Sequence, residues 1–169
     1  MPDPALSPLT VAVCEGAALA MVLVRRGRSA TASLALQAQC GLDLPLPGRL
    51  CTSGGDVLVW NGPDRFLAIR EAGGFGLARE LGVMLNGLAN VVEASSSRSV
   101  LSVSGELAAE WLNRLLPIDL HPRAFPHGSV ALTVGSHMPV QIWRPDADSF
   151  RLACASSLAA SFRRQLDVP

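Results

Sequence analysis

The densest group of chemically useful side chains lies between Pro117 and Phe125, where Asp119, His121 and Arg123 fall within five residues. A carboxylate, an imidazole and a guanidinium placed this close together could take part in catalysis. They could also meet the polar groups of another chain, or satisfy buried carbonyls and so brace their own loop. Pro122 and Pro126 restrict the residue before each of them to extended backbone, which predicts a stiff, irregular loop. All three roles stay open on spacing alone.

Other arrangements that carry chemistry are missing. His127 and His137 stand at no zinc-ligand spacing from His121, and Cys14, Cys40, Cys51 and Cys154 are scattered with no Cys-x-x-Cys pair. The cysteines are expected as small buried hydrophobes in a reducing cytosol. No serine lies in a Gly-x-Ser-x-Gly elbow. Gly73-Gly74-Phe75-Gly76 precedes a helical pattern but matches neither a dinucleotide fingerprint nor a P-loop, so a helix-start turn is expected there. Lysine is absent altogether, which excludes Schiff-base chemistry and a phosphate-binding lysine.

The chain has 169 residues, of which 49% are hydrophobic and 17% charged, with zero formal net charge. That length fits one domain or two fused halves, and the composition supports a packed core rather than disorder. Zero net charge gives no electrostatic footprint for nucleic acid, and Arg25, Arg26 and Arg28 read as a solvated strand end. The apolar run from Thr10 to Val24 is interrupted by Glu15 and Gly16 and has no basic flank. It is expected to be neither a signal peptide nor a membrane span, and the compartment expected is the cytoplasm.

The elements that must position these groups come in two similar sets, about eighty residues apart. Leu42-Asp43-Leu44 returns as Ile118-Asp119-Leu120, and Val57-Leu58-Val59-Trp60 as Val140-Gln141-Ile142-Trp143. Asp64-Arg65-Phe66 returns as Asp148-Ser149-Phe150, and Leu77-Ala78 as Leu158-Ala159. Asp43 therefore matches Asp119, which marks the aspartate as structural, whereas Pro45 and Pro47 stand opposite His121 and Arg123. Those two belong to one copy only and are the better functional candidates.

In the first half, a strand over Leu19–Val24 leads to a helix with Ser29 as N-cap and Gly41 as terminator. Strands at Asp56–Trp60 and Arg65–Arg70 flank Asn61-Gly62-Pro63-Asp64, a hairpin signal. Leu77, Leu81, Met84, Leu85 and Leu88 then share one helical face. In the second half, strands at Val91-Val92 and Ser99–Val103 precede a helix capped by Ser104. Its apolar stripe is Leu107, Ala108, Trp111, Leu112 and Leu115, and Glu110 pairs with Arg114 one turn on. Strands at Ser129–Val134, Val140–Trp143 and Phe150–Ala155 follow, with a turn at Pro145-Asp146. A last helix is capped by Ser157, with Leu158, Phe162 and Leu166 facing inward. The expected architecture is α+β, a single domain over residues 1–169. Its pseudo-repeats, at about 19–88 and 91–167, are two β-α-β-β-α-type halves sharing a core.

The string Ser99-Val100-Leu101-Ser102-Val103-Ser104-Gly105, and above all Pro117-Ile118-Asp119-Leu120-His121-Pro122-Arg123-Ala124-Phe125, resembles the gamma subunit of heterotetrameric sarcosine oxidase. Gly62-Pro63-Asp64-Arg65-Phe66-Leu67 is similar to that family's strand turn, and the layout from Val140 to Leu166 agrees as well. The resemblance covers about residues 40–166. Departures are Asn113-Arg114-Leu115-Leu116 in place of a Gly-Cys-type turn, and Glu106 where proline is usual.

The resemblance implies an internally duplicated fold like the folate-binding domain of aminomethyltransferases. It implies an accessory, non-catalytic subunit with no cofactor of its own. Alpha and beta partner subunits, which carry FAD, FMN and NAD, would oxidise sarcosine to glycine and pass the one-carbon unit to tetrahydrofolate. Arg98, His121 and Arg123 are the expected partner contacts. The alternative is a free-standing folate-binding one-carbon enzyme or an aminomethyltransferase-like protein.

Overall fold

The computed structural model describes residues 9–72 and 76–166. In order, the elements are β1 (Thr10–Val13), β2 (Ala18–Val24), α1 (Ser29–Cys40), β3 (Leu50–Ser53), β4 (Asp56–Trp60), β5 (Arg65–Arg70) and α2 (Leu77–Met84). Then come β6 (Ala89–Glu93), β7 (Arg98–Ser104), α3 (Ala108–Asn113), β8 (Val130–Gly135), β9 (Met138–Asp146), β10 (Ser149–Ala155) and α4 (Ser156–Leu166). The helix-start turn expected at Gly73, Gly74 and Phe75 lies outside the described residues. The chain divides into two units: Glu15–Arg98 is continuous, and the other joins Met1–Cys14 to Ser99–Pro169. Among the described residues no helix is long and apolar enough to cross a membrane.

The Glu15–Arg98 unit carries a five-stranded sheet in the order β3-β4-β5-β2-β6. The expected β4–β5 hairpin forms in the register Trp60↔Phe66. Its turn is closed by hydrogen bonds from the Asn61 amide to the Arg65 carbonyl (2.9 Å) and from the Arg65 amide to the Gly62 carbonyl (3.1 Å). Ser29 is not the N-cap of α1, because Arg28 holds that position with no side-chain cap bond. The Ser29 hydroxyl instead donates to Asp64 Oδ1 at 3.0 Å, tying the helix start to the hairpin turn. Gly41 ends α1 in the left-handed region (φ +70°), and a side chain there would begin 2.8 Å from Ser53 Oγ. Val91 and Val92, expected to open the second half, lie instead on β6. That strand pairs antiparallel with β2 and completes this sheet, with Val22 opposite Val91.

The other unit carries a sheet in the order β1-β7-β10-β9-β8. β1 pairs antiparallel with β7, Thr10 opposite Ser104 and Val13 opposite Leu101. The Thr10–Val24 run is thus two strands of two different sheets, split where Gly16 takes φ +75°. Helix α3 is shorter than its periodicity predicts. Ser104 stays in β7, Gly105 turns the chain at φ +124°, and Leu107, placed in the apolar stripe, is 60% exposed. The Glu110–Arg114 pair forms, at 3.0 Å. β9 runs through Pro145 and Asp146, so the turn falls after them. Ser157 lies inside the first turn of α4 rather than capping it, and Phe162 and Leu166 are buried as expected.

Each unit holds a cluster of buried apolar side chains of its own. One includes Val22, Leu36, Leu58, Phe66 and Leu81, and the other Leu101, Leu112, Leu120, Phe125, Ile142, Phe150 and Phe162.

Candidate partner-contact loop

Between α3 and β8 the chain is held by two buried anchors, Leu120 and Phe125, with His121, Pro122, Arg123 and Ala124 exposed between them. Asn113, the last residue of α3, accepts the Leu120 amide on Oδ1 at 3.0 Å and so fixes where the loop begins. Asp119 Oδ1 accepts the His121 amide at 2.8 Å, the local side-chain turn expected of an aspartate here. The His121 carbonyl accepts the amides of Ala124 (2.9 Å) and Phe125 (2.8 Å), coiling the chain into a tight turn. His121 Nδ1 accepts the Arg123 amide at 3.2 Å. An Nδ1 that accepts leaves Nε2 as the donor of the neutral ring.

The bracing of buried carbonyls, one of the roles open to His121 and Arg123, falls to a residue that the sequence patterns do not reveal. Arg144, near the end of β9, is only 5% exposed. Its Nη1 donates to the Phe125 carbonyl at 2.9 Å and reaches the Leu120 carbonyl at 3.5 Å. Nε donates to the carbonyls of Ala147 (3.0 Å) and Asp146 (3.3 Å), and Nη2 also donates to Ala147. The guanidinium carbon stands 5.1 Å from the centre of the Phe150 ring. The Arg144 backbone adds two bonds, from its amide to the Ser129 carbonyl (3.0 Å) and from the Gly128 amide to its carbonyl (2.8 Å). Side chain and backbone together hold both ends of the loop.

The structure brings His121 and Arg123 together on one exposed turn. Arg98 is half-buried at the start of β7, at the end of the other unit. Its amide donates to the Ala94 carbonyl at 3.0 Å. His127 is exposed, and His137 with Ser136 fills the left-handed positions of the β8–β9 hairpin at φ +69° and +49°. Arg25, Arg26 and Arg28 are exposed, as a solvated strand end should be. Ionisation is clearly displaced at Arg70 and Glu93, both in the Glu15–Arg98 unit. Arg70 is raised by hydrogen bonds to Asp56 and then Glu80, and Glu93 is lowered by donation from the Ser95 hydroxyl and amide.

A family model described as the sarcosine oxidase, gamma subunit family matches residues 26–167. The chain belongs to that family. It is 38% identical over 143 residues to a sarcosine oxidase subunit gamma from Arthrobacter sp, covering 83% of this chain and 70% of that one. It is 34% identical over 124 residues to the subunit gamma of Corynebacterium sp. (strain U-96), covering 72% of this chain and 60% of the relative. Among solved structures, the heterotetrameric sarcosine oxidase from Corynebacterium sp. U-96 in complex with pyrrole 2-carboxylate contains a similar chain. There the TM-score is 0.83 at 28% identity, covering 94% of this chain and 81% of that one. The glycine cleavage system aminomethyltransferase T from Bartonella henselae is similar in fold alone. Its TM-score is 0.66 at 17% identity, over 94% of this chain and 45% of that one. This gamma-family chain is therefore a mixed α/β protein with two sheets and an aminomethyltransferase-like fold.

Proposed function

We propose that this chain is an accessory, non-catalytic subunit that joins the alpha and beta subunits of a cytoplasmic sarcosine oxidase complex and carries no cofactor of its own. The observation that carries the reading is the likeness of 94% of the chain to a chain of a heterotetrameric sarcosine oxidase. Oxidation of sarcosine to glycine, and transfer of the one-carbon unit to tetrahydrofolate, belong on this reading to the partner subunits. So do FAD, FMN, NAD and tetrahydrofolate. His121, Arg123 and Arg98 are read as partner contacts. For the first two, support comes from their exposure on a turn whose backbone is pinned from beneath.

The two units are read as copies of one ancestral unit, as in an internally duplicated folate-binding-like fold. In support, the order β3-β4-β5-β2-β6 matches β8-β9-β10-β7-β1 strand for strand. Helices α1 and α2 then correspond to α3 and α4. The last strand of the copy follows α2 in one unit but arrives from the start of the chain in the other.

Co-expression with the alpha and beta subunits, with the tag on alpha, tests the reading. Stoichiometric recovery of this chain is the expected result, and a chain that elutes alone from every preparation overturns it. Calorimetry with tetrahydrofolate tests the cofactor assignment, since saturable, tight binding by the isolated chain would contradict it.

A further inference from the structure

We propose that the 120–125 turn is a two-donor claw for a carboxylate on a partner subunit, and that Arg144 is the positioning residue that sets its geometry. The proposal rests on the accessory-subunit reading and supplies the chemistry of the contact. Three observations carry it. First, the turn's exposed side chains offer donors. His121 spends Nδ1 on the Arg123 amide, which leaves Nε2–H free to donate. Arg123 is exposed and forms no ion pair among the described residues. A guanidinium and an imidazole N–H two residues apart on one exposed turn suit a planar acceptor with two oxygens, and an aspartate or glutamate side chain fits that description. The acidic group on the same turn, Asp119, already uses Oδ1 on the His121 amide.

Second, Arg144 is a buried cation whose described hydrogen-bond partners are backbone carbonyls rather than carboxylates. Taking a charge out of water is costly, and apolar anchors for this loop already exist in Leu120 and Phe125. A planar fork adds direction. Nη1 meets the Phe125 and Leu120 carbonyls while Nε and Nη2 hold Ala147 beyond the loop, a fixed planar spread of donors that the compact ammonium of a lysine lacks. Third, strand pairing puts Trp60 at the matching position in the other unit. Its amide donates to the Arg49 carbonyl and it stands opposite Phe66, as the Arg144 amide donates to the Ser129 carbonyl and its side chain meets Phe150. The other copy thus has an indole where this one has the cation. There the matching loop carries Pro45 and Pro47 and has no pair of donors to aim.

The test uses the co-expressed complex. Arg123→Glu is expected to lower retention of this chain at least tenfold while its own melting temperature stays put, because the residue is exposed. Wild-type retention should fall as salt rises, as an interfacial ion pair requires. Arg144→Met and Arg144→Lys are expected to raise deuterium uptake at residues 120–126 and to weaken retention. Adding Arg123→Ala to either should cost less than the separate effects combined, which a merely structural role would not produce. If Arg144→Met fails to fold, the charge-keeping Arg144→Lys carries the measurement. Full retention of Arg123→Glu overturns the claw. Retention lost in Arg123→Glu, with unchanged uptake and retention in a folded Arg144 variant, overturns the positioning role alone. A wild-type chain that joins no complex overturns the accessory-subunit reading itself.

Discussion

At the scale of single residues, Arg70 joins three elements at once. Its Nε and Nη2 meet Asp56 Oδ1 and Oδ2 at 2.6 and 2.8 Å, across the β4–β5 register, and Nη2 also meets Glu80 Oε2 of α2 at 2.9 Å. The two-point fork to Asp56 is the stronger half, because Asp56 is 15% exposed and Glu80 48%. Arg70→Met should therefore lower the unfolding free energy by about 2 kcal/mol, and Glu80→Gln by clearly less. Urea titrations of both variants check the ranking, and equal losses would refute it. Glu93 offers a second measurement. Its pKa is lowered mainly by the Ser95 hydroxyl, which also accepts the Leu19 amide at 2.8 Å and so ties the end of β6 to β2. A carboxylate whose folded pKa is depressed contributes stability that is present above its unfolded value. That contribution is lost as pH falls through the folded one. Thermal melts of the wild type should therefore decline on acidification below about pH 4.3 more steeply than those of Glu93→Gln. Parallel curves would remove Glu93 from the account.

At the scale of elements, packing leaves little tolerance where β8 meets α4. A methyl on Gly135 would begin 2.8 Å from both Leu116 Cδ2 and Phe162 Cε2, so Gly135→Ala should cost about 1–3 kcal/mol by overpacking. Truncating the neighbour, as in Phe162→Leu together with Gly135→Ala, should recover part of that loss, and simple additivity in denaturation would argue against the clash. The strongest element signals were those with local chemistry of their own. The Asn61–Asp64 turn marked its hairpin, and helical periodicity marked α2 and α4. β1 and β3 were hidden for a physical reason: each is a four-residue edge strand with no fully buried position, and β1 reads as part of a longer apolar run. The start of α3 was misplaced because Leu107 fits the period yet faces solvent. In the candidate loop, His121 and Arg123 were legible because they stand where the other copy has prolines. Arg144 was not, since one charge at the end of an apolar strand looks like the strand's exit to water. Only the three-dimensional path of residues 120–125 shows what it holds.

At the scale of the whole chain, the two sheets differ in how they are completed. Every strand and both helices of the Glu15–Arg98 unit come from one continuous stretch of sequence, and its buried cluster is drawn from that stretch alone. The other sheet needs β1, delivered from before residue 15, to cover β7 from Leu101 to Ser104. Removing β1 bares a row of amides and carbonyls beside Leu101 and Val103, both fully buried. A fragment spanning 15–98 is thus expected to melt cooperatively by circular dichroism and to give dispersed amide NMR signals. A fragment spanning 99–169 should aggregate or melt without cooperativity. The groove that Val13 lines together with Ala159, Ala160 and Arg163 puts the end of β1 beside α4. Joining residues 9–14 after α4 through a short glycine-serine linker should therefore restore cooperative melting. It places the strand after the helix, as β6 follows α2. If 99–169 folds as stably without β1 as with it, the N-terminal strand is an ornament of that sheet rather than part of its fold. The correspondence drawn between β1 and β6 then loses its physical basis.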